Sequence, residues 1–355
     1  MHAVALLVAP LLAYLASRAV TAAAVRGADR VTAATRLRRA NRLLQVAAGL
    51  GGIALATDSL LDDAVVAAVP GPDTAGLLVA LAGTVAVGGV LPALSVHLGS
   101  RPAWATVAGR EPDYPSVVRR YVVVAGLLTV PAFVVVAAWL AAPAGVSGLP
   151  VVAGAALAVV AGLPVAAAAL GAVRRPTPAE RAVVPECARD LRVRVVATDR
   201  NPVANAVAAG VVPGLRYVFV TDALFETLDD AAVAAVLAHE AGHHRRHHVL
   251  ARFLATGLAL APLFLTASGV FDALLPATAA SVGLLLLVGP AVRWTEYDAD
   301  AYAADRVGAA SMERALATLA DRGLLPTDRP PLVGLVSLHP AVADRLSRLR
   351  DHNRF

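Results

Sequence analysis

Apolar stretches about as long as a bilayer is thick constrain this chain more than any other feature. A helix needs about 20 residues to cross the hydrocarbon, and such stretches occupy residues 3–25, 43–60, 75–97, 121–142, 149–173, 250–270 and 274–292. Inside lipid every backbone N–H and C=O must find a partner within its own segment, so these stretches are predicted to be helices. Composition agrees: 58% of residues are hydrophobic, 16% are charged and the mean hydropathy is +0.67, far from a soluble chain. The first stretch lacks a basic leader and is followed by further apolar stretches, so it reads as an anchor, not a cleaved signal.

Charge sets the orientation. The loop after the first stretch holds Arg26, Arg30, Arg36, Arg38, Arg39 and Arg42, whereas the next holds Asp58, Asp62, Asp63 and Asp73. Basic loops stay in the cytoplasm, which puts the first inside and the second outside. The same parity returns Arg101, Arg110, Arg119 and Arg120 to the inside, leaves 143–148 outside and places 174–249 inside. The last two stretches form a hairpin turning outside near Asp272, so residues 293–355 rejoin 174–249. The predicted architecture is mainly α. A membrane region of about five helices spans 1–173, and a cytoplasmic α+β domain spans 174–355, interrupted by a membrane hairpin at about 250–292.

The net charge of +5 and the pI near 10.0 come mainly from arginines beside apolar stretches. That is a topology signal, and no nucleic-acid partner is expected. Cys187 is the single cysteine, so no intrachain disulfide can form.

In the polar part, 191–196 alternates apolar and basic residues like a half-buried strand, and 216–220 reads as a second. Thr227 and Asp230 look like a helix-opening pair, and a helix is predicted over about 228–248. It contains AHEAGHHRRHH, in which His239 and His243 stand four residues apart on one face. Two imidazoles so placed can share one metal ion, and Glu240 can reach a water on that ion as general base. A catalytic zinc takes a third protein ligand and leaves a fourth position to water, whose pKa falls toward about 7. Glu296, in RWTEYDADAYAAD, is the strongest candidate for that ligand. Asp300, one turn further on, suits a hydrogen bond to the outer nitrogen of a ligand histidine.

Four segments carry a resemblance. HEAGH is the first, with His248 where many relatives have another histidine, and Arg293 to Asp300 fits R-x-x-E-x-x-A-D. NAVAAG (Asn205, Ala206, Ala208, Gly210) fits N-A-x-A-x-G, and His339-Pro340 with Arg345-Leu346 fits H-P-x-x-x-x-R-[IL]. Over residues 180–350 the chain resembles the integral-membrane zinc metallopeptidases that include the HtpX-type quality-control proteases and the CAAX prenyl endopeptidases. The first 173 residues match only in being apolar.

The resemblance implies a zincin-like domain with a small sheet and one zinc ion per chain on His239, His243 and Glu296. It implies Glu240 as catalytic base, Asp300 and Arg293 around the ligands, and His339 and Arg345 as groups that stabilise the transition state or position neighbours. Asn205, Ala206 and Gly210 would lie along the substrate. The implied activity is hydrolysis of peptide bonds in membrane or misfolded proteins at the cell membrane. Two other readings stay open: a sensor peptidase cleaving one regulator, and a non-catalytic membrane protein with a closed structural zinc site. His244, His247 and His248 read as a solvated, headgroup-facing cluster. Trp294, Tyr297 and Tyr302 read as an interfacial belt or as helix packing.

Overall fold

The computed structural model describes residues 2–61, 66–70, 72–109, 111–198, 204–325 and 339–352. Asp62, Asp63 and Arg110 of the expected loop charges lie outside these residues. Six described helical stretches are long and apolar enough to cross a membrane: Val4–Val25, Asp73–Val107, Tyr114–Ala141, Val146–Ala169, His248–Ala267 and Leu274–Val307. The expected stretch 43–60 forms the second half of a continuous helix, Arg30–Leu60.

The chain divides into two compact units, Met1–Ala141 and Ala142–Phe355. The first holds α1 (His2–Val25), α2 (Arg30–Leu60), α3 (Asp73–Gly83), α4 (Leu91–Gly99), α5 (Arg101–Ala108) and α6 (Tyr114–Ala141). A π-helical segment, Thr84–Val90, joins α3 to α4. Here α1 and α2 pack on each other and on α4. A Cβ at Gly88 would stand 2.5 Å from the Gly52 carbonyl oxygen and 2.7 Å from Ala56 Cβ, and a Cβ at Gly52 would overlap the Gly88 carbonyl. Only glycine on both sides lets α2 meet the π segment backbone to backbone, as is common between membrane helices. The polar groups buried here bond to main chain: Ser17 Oγ donates to the Val96 carbonyl at 2.7 Å and Thr84 Oγ1 to the Ala80 carbonyl at 2.9 Å.

The second unit begins with α7 (Leu149–Ala169) and α8 (Pro178–Ala182). The two units meet at 141/142, and α7 packs against elements of the second unit. At α8 a capping box ties Thr177 to Glu180, whose carboxylate also takes two 2.7 Å bonds from Arg174. Three strands follow: β1 (Arg192–Val196), β2 (Ala206–Ala209) and β3 (Tyr217–Thr221), in the order β1-β3-β2. β1 runs parallel and β2 antiparallel to β3, so β2 is an edge strand. β1 and β3 lie one residue from the predicted strands.

After the short α9 (Asp222–Thr227) come α10 (Asp230–Arg245), α11 (His248–Ala267), α12 (Leu274–Val307), α13 (Ala309–Asp321) and α14 (Val342–His352). The cap of α10 is a correction: Asp229, not the pair Thr227 and Asp230, accepts the Ala232 N–H at 2.8 Å. The predicted 228–248 helix also ends early, because His247 takes a left-handed conformation (φ 56°) that turns the chain into α11. Val193, Val195, Val218 and Val220 of the sheet bury against Val233, Val236 and Leu237 of α10. On another side of α10, Ala235 and Ala238 meet Ala303, Met312 and Leu316. The helix carrying HEAGH is thereby fixed on two sides by apolar packing.

Candidate active site

Each side chain of the site sits on an element with little freedom to move. Gly242 sets the distance between α10 and α12: a Cβ there would stand 3.2 Å from Ala299 Cα and from Tyr302 Cβ. This close approach brings Glu296 and Asp300 of α12 under His239 and His243, 53 or more residues away in sequence. All four are buried, between 2% and 5% exposed.

Nε2 of His239 and Nε2 of His243 lie 3.2 Å apart. Glu296 Oε1 is 3.4 Å from His243 Nε2, and Oε2 is 3.8 Å from His239 Nε2. Among the described residues these three form a group able to hold a metal ion. Tetrahedral ligands about 2.0–2.1 Å from zinc stand about 3.3–3.4 Å from one another, so the spacing fits. The protons fit too. His239 Nδ1 is 2.8 Å from Asp300 Oδ1, close though off the ideal hydrogen-bond line. His243 Nδ1 is 3.1 Å from His248 Nδ1. With their protons held on the outer nitrogens, both rings turn lone pairs toward the Glu296 carboxylate, an arrangement that suits a cation between them.

Three buried carboxylates, Glu240, Glu296 and Asp300, face two guanidiniums. Arg345 grips Asp300 with two bonds, Nε to Oδ2 at 2.7 Å and Nη2 to Oδ1 at 2.6 Å. Arg252 donates to Glu296 Oε1 at 2.5 Å and through Nε to Thr295 Oγ1 at 2.9 Å.

Burial pushes the Glu240 carboxyl above its usual range and holds His243 down at about 3, so that ring stays neutral. Burial alone would also depress His239, but the bond and charge of Asp300 outweigh it and lift the ring. Glu240 Oε2 accepts the Ala208 N–H of β2 at 2.6 Å, which joins the helix to the sheet edge at the site.

Of the sequence-predicted residues, His239, Glu240, His243, Glu296 and Asp300 come together. His339 Nδ1 lies 3.2 Å from Glu296 Oε2 with its side chain 58% exposed. Arg345 is 7% exposed and 3.9 Å from the same oxygen. Ala206 and Ala208 lie on β2, and Asn205 just before it spends its side-chain oxygen on the Ala206 N–H at 3.0 Å. Gly210 ends the strand with φ +85°, and a Cβ there would meet the Leu215 carbonyl oxygen at 2.5 Å. Arg293 is half-buried on α12, one turn before Glu296.

One expectation needs correction. His244 and His248 are not a solvated cluster: they are 2% and 4% exposed. His244 Nε2 donates to the Tyr217 carbonyl at 2.8 Å and ties α10 to β3. His247 keeps the expected exposure. Tyr302 packs in the core, while Trp294 is 57% exposed. Arg252 was not singled out in the sequence, although an arginine inside an apolar span is itself a signal of function.

Two histidines one turn apart, an adjacent glutamate and a carboxylate from a later helix form the arrangement of a metallopeptidase-type centre. The family model of Peptidase family M48 matches residues 179–353. The "Protease HtpX homolog" of Desulfatibacillum aliphaticivorans is 29% identical over 181 residues, covering 41% of this chain and 58% of that relative. The chain thus spans less than two thirds of the relative's length. Among solved structures, that of Ste24p from S. mikatae aligns at 16% identity with a TM-score of 0.49, covering 90% of this chain and 85% of that one. The protein is a mainly helical, multi-pass membrane protein whose residues 179–353 match this peptidase family.

Proposed function

We propose that the chain is a membrane-embedded zinc endopeptidase that hydrolyses peptide bonds of protein substrates, with its site on the cytoplasmic side. One observation carries the reading: three donor atoms converge at 3.2 to 3.8 Å with a buried carboxylate, Glu240, next to them in sequence. His239, His243 and Glu296 would hold the ion, and nitrogen and oxygen donors at this spacing suit zinc. When bound, zinc polarises the scissile carbonyl and makes a water easier to deprotonate.

Glu240 then takes the proton of the attacking water and passes it to the leaving amine. A carboxyl raised by burial is suited to both steps. The exposed ring of His339, on the same side as Glu296, is placed to donate to the developing oxyanion. Arg345 acts one step back: buried and doubly bonded, it holds Asp300, which orients His239. Arg293 would assist from one turn before Glu296 on α12.

Substrate binds as an added strand on β2. The Thr221 N–H donates to the Asn205 carbonyl at 2.9 Å, so residues 205, 207 and 209 bond inward to β3. The alternate residues, Ala206 and Ala208, turn their C=O groups to the free edge, while their N–H groups bond to Asn205 Oδ1 and Glu240 Oε2 and would have to exchange these partners for a full ladder. An extended peptide can pair there. Gly210 and Asn205 bound this edge. Glu296 follows the apolar part of α12 directly, which favours membrane-derived or misfolded chains as substrates. The arginine-rich loops support the cytoplasmic side.

The test uses the protein purified in detergent. One zinc per chain is expected for both wild type and Glu240→Gln, with casein cleavage by wild type alone. Equal cleavage by both would overturn the mechanism.

A further inference from the structure

Behind the two histidines that face the metal position lies a third, buried as deeply as they are. His248, the first residue of α11, is 4% exposed. Its Nδ1 stands 3.1 Å from Nδ1 of His243, and its Nε2 stands 3.1 Å from Oδ2 of Asp298 on α12. The Trp294 ring meets it edge-on at 6.3 Å and covers one side.

The protons of this chain of groups follow from one end. His243 turns Nε2 toward His239 and Glu296, at 3.2 and 3.4 Å. If that nitrogen gives its lone pair to a cation, the ring proton must sit on Nδ1. Nδ1–H then donates, and the only role left to Nδ1 of His248 is to accept. A neutral His248 therefore carries its proton on Nε2, where it meets the Asp298 carboxylate. Each donor faces an acceptor along the whole line.

The geometry points to a relay in which His248, held by Asp298, is the positioning residue of His243. It rests on the metal-site reading given under Proposed function. His239 and His243 are thus supported differently: Asp300 reaches the first ring directly, while Asp298 reaches the second through an imidazole. Without its partner, the His243 ring could turn about its side-chain bonds and present carbon in place of nitrogen to the ion. Loss of such outer partners typically weakens metal binding about 10–100-fold.

The full-length protein in detergent tests this, with zinc alone as the probe in competition against a chelator. His248→Phe keeps a ring and removes both nitrogens. Its zinc dissociation constant should rise about 10–100-fold, with kcat lowered and KM for casein unchanged at saturating zinc. His248→Gln offers a carboxamide oxygen to accept from His243 and an NH2 to donate to Asp298, so it should recover most of the zinc affinity. A role in packing alone would leave the Gln variant no better than Phe, and that result would overturn the relay. So would wild-type zinc affinity in His248→Phe. Where His248→Phe fails to fold, Asp298→Ala decides: weaker zinc binding supports the relay and unchanged binding sinks it. A wild-type protein that binds no zinc would remove the underlying site reading, a failure visible before any variant is made.

Discussion

In the first unit, residues 1–141, the closest approach between helices is made by glycine. Gly52 and Gly88 meet main chain to main chain, and buried hydroxyls such as Ser17 and Thr84 bond to backbone carbonyls. In the second, residues 142–355, the closest approach serves a different end. Gly242 lets α10 reach α12, and the contact is filled with ionisable groups that satisfy one another: His239 with Asp300, Asp300 with Arg345, Glu296 with Arg252. The contrast teaches that similar small-residue packing can be a purely steric device in one place and a way of assembling charges in another. Size governs what each glycine position tolerates in the first unit, and chemistry is added to size in the second.

The comparison can be broken most decisively at Glu240. Replacing it with Gln should lower peptide cleavage by about 10²–10⁴-fold, with zinc content and thermal midpoint unchanged. A proportional loss of stability would mean that this carboxylate holds the unit together, as Ser17 and Thr84 help to do in the other.

Next in size is a matched pair of glycine substitutions. Gly242→Leu should separate α10 from α12, and a displacement of about 1 Å at the ligands should cost about 10²-fold in activity, together with zinc. Gly88→Leu should destabilise the first unit by about 1–3 kcal/mol and leave zinc per folded chain intact. Thermal unfolding and metal analysis of both proteins would show whether the same chemical change separates function from stability as expected.

The smallest effect is the most local. Arg174 holds the Glu180 carboxyl down to about 2 from its ordinary 4.5. A carboxyl with a lowered folded-state pKa stabilises the fold fully above pH 4.5, and that stabilisation fades as the pH falls toward 2. Glu180→Gln should flatten stability between those limits by less than about 1 kcal/mol, since Arg174 is well exposed to solvent. Acid unfolding followed by circular dichroism would measure it. A change centred on neutral pH would point to a different group.

How far the sequence revealed these features depended on how local they are. The apolar stretches, strands β1 and β3 and the spacing of His239 with His243 are set by periods of a few residues, and each was legible. Glu296 was a candidate through its place after the hairpin and through motif resemblance, because no short-range pattern can say that α12 passes beneath α10. The left-handed turn at His247 left no periodic trace, so the histidines after His243 looked like a solvated helix end. The turn in fact redirects His248 inward. The π segment at Thr84–Val90 sits within an unbroken apolar run where hydropathy is blind to the number of residues per turn. Arg252 was not singled out for the opposite reason: it is a single charge inside an apolar stretch, and only tertiary structure gives it Glu296 as a partner.

That turn at His247 has a mechanical consequence. Only Arg246 and His247 separate the helix holding the ligand histidines from the span that starts at His248. A lipid environment that tilts the span, as thicker or thinner bilayers do, has almost no slack in which to be absorbed. The motion reaches the imidazole leaning on His243 first, so bilayer thickness and the alignment of His239 and His243 are joined through a two-residue hinge.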